Sequence, residues 1–134
     1  MNDVEDFILQ TKIAIVGASN DRNKYGNVAY LNLRGKGYTV YPVNPKEQTI
    51  EGDKCYASLA SLPEKVGGVV IVVPPVVGVR IVQEAYAAGI KRIWFQEGAE
   101  SDEAVQYCRD HGMSVVTGQC IMVVSNYRNL VGKQ

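Results

Sequence analysis

The feature that most restricts the fold is the apolar run over residues 13–16, which stops abruptly at Gly17. A short run of this kind is typical of a parallel strand that is buried on both faces. A glycine directly after the strand lets the backbone turn sharply and approach a ligand closely. A helix is predicted to begin near Gly26, so its free N–H groups and positive dipole end point back at the turn. Together these features predict a site for an anionic phosphate, with an ordinary strand-to-helix turn as the alternative.

Strand-like and helix-like segments alternate along the chain. Strands are predicted over residues 12–16, 38–43, 69–73, 92–95 and 113–116, with a very short sixth strand near residues 54–56. Helices are predicted over residues 4–10, 26–37, 79–88 and 101–110, with a single helical turn over residues 58–63. This alternation predicts an α/β fold, a parallel sheet of five or six strands with helices on both faces. We place Pro42 at the end of the second strand, because proline cannot donate a ladder hydrogen bond.

Size and charge limit the classes of function. The chain has 134 residues, of which 46% are hydrophobic, and this predicts one domain over residues 1–134 with a substantial core. Lys and Arg number 14 and Asp and Glu also number 14, so the chain lacks the basic excess of proteins that bind nucleic acid or membrane surfaces. The acidic start of the chain lacks the features of a signal peptide, and we therefore expect a cytoplasmic location.

The cysteines give no metal-binding pattern. Cys55, Cys108 and Cys120 are widely spaced, form no C-x-x-C pair and share the chain with a single histidine, His111. We therefore expect no metal site, and we predict reduced, mostly buried thiols. A redox role for Cys120 is the alternative.

The turns after the predicted strands share one rim of the sheet, which is where ligands bind in folds of this class. These turns occupy residues 17–19, 44–46, 74–75, 96–98 and 117–119. Four of them are rich in glycine, proline or small polar residues, and none offers an evident catalytic set. A general base is one interpretation of Glu97, but no nucleophile or metal ligand accompanies it, which favours a capping or backbone-binding role. We predict no catalytic residues and no enzymatic activity.

The loop after the first strand strengthens the phosphate prediction. Ser19, Arg22 and Lys24 follow Gly17, and the next glycine is Gly26. The loop is therefore longer and more polar than the dinucleotide fingerprint G-x-G-x-x-G.

The turn after the second strand discriminates between nucleotides. An NAD site usually has Asp or Glu here to accept hydrogen bonds from the ribose, whereas this chain has Asn44, Pro45 and Lys46. A base suits a phosphorylated ribose, which leaves NADP with its 2′-phosphate or coenzyme A (CoA) with its 3′-phosphate. A solvated surface position for Lys46 is the alternative. Pro74 and Pro75 present an apolar wall for an adenine, or they simply begin the next helix.

Five short motifs, in this order, resemble the small single-domain CoA-binding proteins, whose domain is similar to the CoA-binding domain of the succinyl-CoA synthetase α subunit. The motifs are IVGAS (residues 15–19), GYTVYPVNP (37–45), CYASL (55–59), VVP (72–74) and WFQEGA (94–99), and the tail around Cys120 also fits. The match spans about residues 10–120. The resemblance implies a Rossmann-like doubly wound parallel sheet with CoA laid along its rim.

The resemblance also implies which residues hold each part of CoA. The pyrophosphate would lie against Gly17, Ala18 and Ser19, with Arg22 and Lys24 behind them. The adenosine and its phosphate would meet Asn44, Pro45 and Lys46, with Val73 and Pro74 at the adenine. Gln96, Glu97 and Gly98 would lie near the path of the pantetheine.

Two departures from the family pattern matter. Many relatives have a proline between Ser19 and Arg22, where this chain has Asn20 and Asp21, so the rigidity of the loop is in question. The synthetases carry a phosphorylated histidine, and His111 matches no such motif, so their chemistry is not implied for this chain.

The sequence thus predicts a protein that binds CoA or an acyl-CoA through its nucleotide portion at the carboxyl-terminal rim of the sheet, without catalysis of its own. Two alternatives stay open. One is a fragment of an NADP-dependent oxidoreductase, and the other is a nucleotide-responsive regulator that acts on a protein partner through its tail.

Overall fold

The computed structural model describes residues 1–131. Its strands are β1 (Lys12–Val16), β2 (Thr39–Val43), β3 (Thr49–Ile50), β4 (Asp53–Lys54), β5 (Gly68–Ile71), β6 (Arg92–Phe95) and β7 (Ser114–Val116). Its α-helices are α1 (Asp3–Ile8), α2 (Tyr25–Gly35), α3 (Pro75–Ala87), α4 (Asp102–Asp110) and α5 (Ile121–Val124). Short 3-10 segments cover Leu59–Ser61 and Ser125–Leu130.

Five of the strands form one parallel sheet in the order β2-β1-β5-β6-β7, which confirms the predicted α/β, Rossmann-like fold class. The chain runs from β1 outward to β2, and then crosses back to place β5 on the other side of β1. The direction of winding therefore reverses between β1 and β5. In open α/β sheets, ligands bind beyond the carboxyl ends of the strands at such a point.

Successive residues of each central strand face opposite layers of the core, as the pleat of a strand requires. Ala14, Val69 and Ile93 lie in one layer, which contains buried residues of α3 and α4. Ile13 and Trp94 lie in the other layer, which contains buried residues of α1, α2 and α5. Burial on both faces explains why the central strands have no polar alternation in their sequences.

We predicted Pro42 at the end of the second strand, and in the structure it is the penultimate residue of β2. It lies opposite Ile15 in the register, and its carbonyl oxygen accepts a hydrogen bond from the backbone N–H of Tyr56 at 3.0 Å. The missing donor is tolerated because β2 is an edge strand of the sheet.

Several predicted boundaries were wrong by one or two residues, and the predicted start of α3 was wrong by four. α3 begins at Pro75 instead of residue 79, because proline fits the first position of a helix, and β5 ends at Ile71 instead of residue 73. Val73 and Pro74 therefore lie in the turn that leads into α3. The short strand expected near residues 54–56 is β4, which pairs with β3 in a separate antiparallel hairpin that the sequence did not predict.

Candidate functional site

The turn after β1 requires glycine for two reasons. Gly17 has φ +102°, a left-handed conformation that side chains rarely adopt, and its N–H donates to the Val43 carbonyl at 3.0 Å. A Cβ atom at this position would lie 2.6 Å from Cγ2 of Val72. The turn after β1 therefore packs directly against the turn after β5, where the winding of the sheet reverses.

Gly26 lets the first turn of α2 pack against that backbone. A Cβ atom at Gly26 would lie 2.0 Å from the Gly17 carbonyl oxygen, so no other residue fits. Lys24 is the N-cap of α2, and its side chain does not cap the helix. The uncapped first turn of α2 is thus held beside Gly17, where its N–H groups and dipole favour an anion.

Asparagine side chains fix the loop between β1 and α2. Nδ2 of Asn44 donates to the Ala18 carbonyl at 2.9 Å, and Nδ2 of Asn27 donates to the Ser19 carbonyl at 2.8 Å. Ala18 is itself fully buried. These bonds tie the loop both to the end of β2 and to the helix that follows it.

Asn20 holds the same loop to the β3–β4 hairpin. Its Nδ2 donates to the Thr49 carbonyl at 2.7 Å, and its Oδ1 accepts from the Glu51 backbone N–H at 2.9 Å. The loop, whose rigidity the sequence left open, is therefore anchored by the side-chain hydrogen bonds of Asn20.

A cleft of about 660 Å³ opens beyond the carboxyl ends of β1, β2 and β5. Seven of the predicted site residues line it: Gly17, Lys24, Asn44, Pro45, Lys46, Val73 and Pro74. Its position coincides with the reversal of winding, which is where a ligand is expected in this class of fold.

The charges in the cleft are mostly positive. The ammonium groups of Lys24 and Lys46 have no hydrogen-bond or ion-pair partner within residues 1–131. Nε of Arg80 lies 3.8 Å from a carboxylate oxygen of Glu84, and both residues line the cleft. Three cations and one carboxylate face a single cleft, which suits a ligand that carries several negative charges.

Arg22 and Ser19 are engaged elsewhere. Nε of Arg22 lies 3.0 Å from a carboxylate oxygen of Glu51, outside the cleft, and this hydrogen bond lowers the pKa of Glu51. Oγ of Ser19 accepts from the backbone N–H of Asp21 at 3.0 Å. The sequence could not show the Arg22–Glu51 pair, because it depends on the unpredicted hairpin.

Gln96, Glu97 and Gly98 lie at a different part of the rim, beyond β6. Gln96 is 2% exposed, and its Oε1 accepts from the backbone N–H of Ile121 at 2.8 Å. Glu97 and Gly98 are exposed. None of the three lines the cleft.

Cys120 lies beside Gln96, with its Sγ 2.9 Å from the hydroxyl oxygen of Tyr25. Burial alone would raise the pKa of the Cys120 thiol, but hydrogen bonds from Tyr25, Gln96 and nearby backbone N–H groups outweigh it and lower the pKa. Burial and the contact with Cys120 raise the pKa of Tyr25 to about 12. By contrast, burial raises the pKa of Cys108 to about 11. We call Tyr25, Gln96 and Cys120 the thiol corner.

Sequence reasoning missed Arg80 and Glu84. The residues of α3 that line the cleft recur at helical spacing and form one face of the helix: Val77, Arg80, Ile81 and Glu84. The predicted helix, however, began too late for that face to reach the end of β5.

The fold and the cleft define a doubly wound α/β domain with a cationic cleft at its switch point. A family model described as the CoA binding domain matches residues 11–126. The chain belongs to this family, and the resemblance inferred from the five motifs is confirmed.

Relatives of two kinds are similar to the chain. The α subunit of an ADP-forming acetate–CoA ligase II from Pyrococcus furiosus is 32% identical over 129 residues, which cover 88% of this chain and 28% of that subunit. A solved hypothetical protein from Pyrococcus horikoshii OT3 is 32% identical with a TM-score of 0.89, over 98% of this chain and 94% of its own. The chain thus spans little more than a quarter of the ligase subunit, but nearly all of the smaller relative.

A longer relative has also been solved. The dinucleotide-forming acetyl-coenzyme A synthetase 1 from Ca. Korarchaeum cryptofilum, in complex with phosphate and ADP, is 33% identical with a TM-score of 0.72. The similarity covers 87% of this chain and 27% of that protein. The same domain therefore occurs both nearly alone and as part of longer chains.

Proposed function

We propose that this chain, as a single domain over residues 1–134, binds CoA or an acyl-CoA through its nucleotide portion at the carboxyl-terminal rim of the sheet. The observation that carries the proposal is the cationic cleft at the switch point. In this cleft the ammonium groups of Lys24 and Lys46 have no partner among the described residues, and Lys24 stands at the uncapped first turn of α2. Membership of the CoA binding domain family supports the same ligand.

The parts of CoA have distinct places in this proposal. The pyrophosphate lies against Gly17 and the start of α2, with Lys24 as its counter-charge. The adenosine lies between the turn Asn44-Pro45-Lys46 on one side and Val73 and Pro74 on the other. The pantetheine runs along the rim towards Gln96, Glu97 and Gly98. Arg22 contributes to the pyrophosphate only by leaving Glu51, to which it is paired in the structure.

We also propose that the chain has no catalysis of its own. Glu97, the carboxylate in the turn after β6, is exposed, and within residues 1–131 no group of three or more His, Cys, Asp or Glu side chains is arranged to hold a metal ion. A catalytic site needs a nucleophile, acid or metal in a working mutual geometry. Incubation with several acyl-CoAs should release free thiol only at the background rate. Release that depends on the protein and is lost in Glu97→Gln would overturn this part of the proposal.

No helix among the described residues is long and apolar enough to cross a membrane. The cytoplasmic location and the absence of a nucleic-acid or membrane partner stay predictions from the sequence.

Calorimetric titration with CoA, NADP and NAD tests the ligand. We expect CoA to bind most tightly and to raise the melting temperature, because a ligand that binds only the folded state stabilises it by mass action. NAD should have little effect, because the turn Asn44-Pro45-Lys46 directly after β2 has no carboxylate to accept from its ribose. Tighter binding of NADP than of CoA would favour the oxidoreductase alternative and overturn the CoA proposal.

A further inference from the structure

Arg80 reaches the cleft from the wall opposite the β2 turn. α3 lies close to the sheet at Gly78, where a Cβ atom would be 3.4 Å from the ring of Phe95. Ile81 is buried beneath the helix, and Arg80 lies one position away on the flank that lines the cleft. Lys46 lines the same cleft from the turn after β2. Lys46 thus follows β2 and Arg80 lies in the helix that follows β5, and these two strands flank β1 on opposite sides.

The guanidinium of Arg80 is held only weakly in the structure. Its one ion pair within residues 1–131, with Glu84 one helical turn later, has an N–O distance of 3.8 Å, and the Arg80 side chain is 69% exposed. Exposed ion pairs of this kind contribute little to stability. Arg80 can therefore exchange the Glu84 carboxylate for an anionic ligand at small cost.

The number of cations in the cleft exceeds what a pyrophosphate alone requires. Lys24 and the first turn of α2 already lie beside Gly17, where the pyrophosphate is proposed to bind. Lys46 and Arg80 are left over, on the two walls that enclose the proposed adenosine. CoA carries a second anionic group there, the 3′-phosphate of the ribose, whereas dephospho-CoA does not.

We infer that Arg80 is a specificity-determining residue that binds the ribose 3′-phosphate together with Lys46, and that Glu84 holds Arg80 until the phosphate replaces it. The inference rests on the proposed CoA site and adds to that site a residue, Arg80, that the sequence did not reveal. A guanidinium suits this role because its planar fork of N–H donors matches the oxygens of a phosphate. The ligand class is then adenosine nucleotides that are phosphorylated at the 3′ position.

The test is calorimetric titration of CoA and dephospho-CoA into the full chain and its variants. Arg80→Gln should weaken CoA about tenfold, the typical effect of losing a hydrogen bond to a charged group at a wet site. Dephospho-CoA should change by less than about twofold, as for an ordinary surface substitution. Arg80→Lys should recover part of the CoA affinity, because it keeps the charge and loses the fork.

Arg109→Gln is the matched control, since Arg109 is exposed in the last turn of α4 and the substitution removes the same charge away from the cleft. It should leave both affinities unchanged. Glu84→Gln should tighten CoA about two- to threefold, because the neutral amide no longer competes for the guanidinium.

Several outcomes would overturn the inference. Arg80→Gln that weakens CoA and dephospho-CoA equally shows that Arg80 does not bind the 3′-phosphate, and no effect on either shows that it binds nothing. Weaker CoA binding by Glu84→Gln contradicts the exchange. If the unaltered chain binds no CoA, the proposed function itself fails, which is distinct from a chain that binds CoA with no role for Arg80.

Discussion

The cleft and the thiol corner lie on the same rim of the sheet, but they are built in opposite ways. The cleft is open, and Lys24 and Lys46 have no partner within the described part of the chain. In the thiol corner, Gln96 is buried and bonded to Ile121 and Cys120, and Tyr25 contacts the same thiol. Unsatisfied charge at the surface leaves capacity for a ligand, whereas side chains whose hydrogen bonds are satisfied by one another hold the chain in one position.

The difference assigns distinct roles to the two regions. The cleft supplies charge where a nucleotide needs it, and the thiol corner fastens α5 and the end of β6 to the start of α2. Tyr25 is the first residue of α2, directly after Lys24, so the two regions share one helix terminus. A substitution can therefore affect one region without the other only if it alters a side chain that belongs to one region alone, such as Lys24 for the cleft or Tyr25 for the thiol corner.

Gly26→Ala should have the largest effect. Its Cβ would lie 2.0 Å from the Gly17 carbonyl oxygen, so α2 must move away from the turn that lines the cleft. We expect a loss of about 2–3 kcal/mol in the free energy of unfolding, measured by urea denaturation. We expect calorimetry to show a loss of CoA affinity of about 100-fold, because the uncapped helix end moves away from the proposed pyrophosphate site.

Gly35→Ala is the control in the same helix. Apart from the helix's own backbone, no atom lies within 4 Å of the place a Cβ would occupy at Gly35, and alanine is the better helix former. The variant should keep CoA affinity and retain or slightly raise stability. Equal behaviour of the two variants would show that the close contact of α2 with Gly17 does not shape the site.

Lys24→Gln should have an intermediate effect. Lys24 has no partner among the described residues, so its charge is available to the ligand. Because CoA and dephospho-CoA share the pyrophosphate that Lys24 is proposed to bind, the substitution should weaken both alike, each about tenfold. Arg22→Gln is the matched comparison, and it should cost about threefold or less, because Arg22 is already paired with Glu51. Titration at low and high salt should show both losses shrinking as salt rises. A greater loss for Arg22→Gln would move the pyrophosphate out of the cleft, towards the hairpin.

The sequence could predict much of the fold because burial leaves a local signal. β1 and β6 have the predicted bounds, since strands buried on both faces are short apolar runs between polar residues. The two-residue strands β3 and β4 have no periodic pattern, and their pairing was not predicted. Trp94, within β6, is fully buried.

The candidate site was predictable where it depends on strand ends and not where it depends on distant contacts. Gly17 and Lys46 follow strands closely, and the cleft brings them together. The place of Arg80 beside the cleft depends on where α3 begins, and the proline at its first position starts this helix earlier than we predicted. The pairing of Arg22 with Glu51 joins residues that are far apart in sequence, and only the folded chain reveals it.

Tyr25→Phe should have the smallest effect, confined to the thiol corner. Loss of the Tyr25 hydroxyl removes a donor to the Cys120 thiolate, so the Cys120 pKa should rise towards its ordinary value. At pH 7 the thiolate fraction then falls, and alkylation by iodoacetamide should slow by only about threefold, because the remaining thiolate is more nucleophilic. Mass spectrometry of the alkylated protein measures the rate at each cysteine.

Cys108 is the internal control for that rate, since it is buried and burial raises its pKa to about 11. It should react far more slowly than Cys120 in the folded protein, at the same rate with and without Tyr25→Phe. Faster reaction of Cys120 after the substitution would show that the hydroxyl shields the thiol and does not stabilise its thiolate.

The most direct test of the account is a crystal structure of the chain with CoA. We predict that the pyrophosphate lies against Gly17 and the first turn of α2, within hydrogen-bond distance of Lys24, and that the 3′-phosphate lies between Lys46 and Arg80. The Arg80–Glu84 pair should be broken in that complex. A nucleotide portion bound outside the cleft, whether at the thiol corner or against the β3–β4 hairpin, would contradict the central claim.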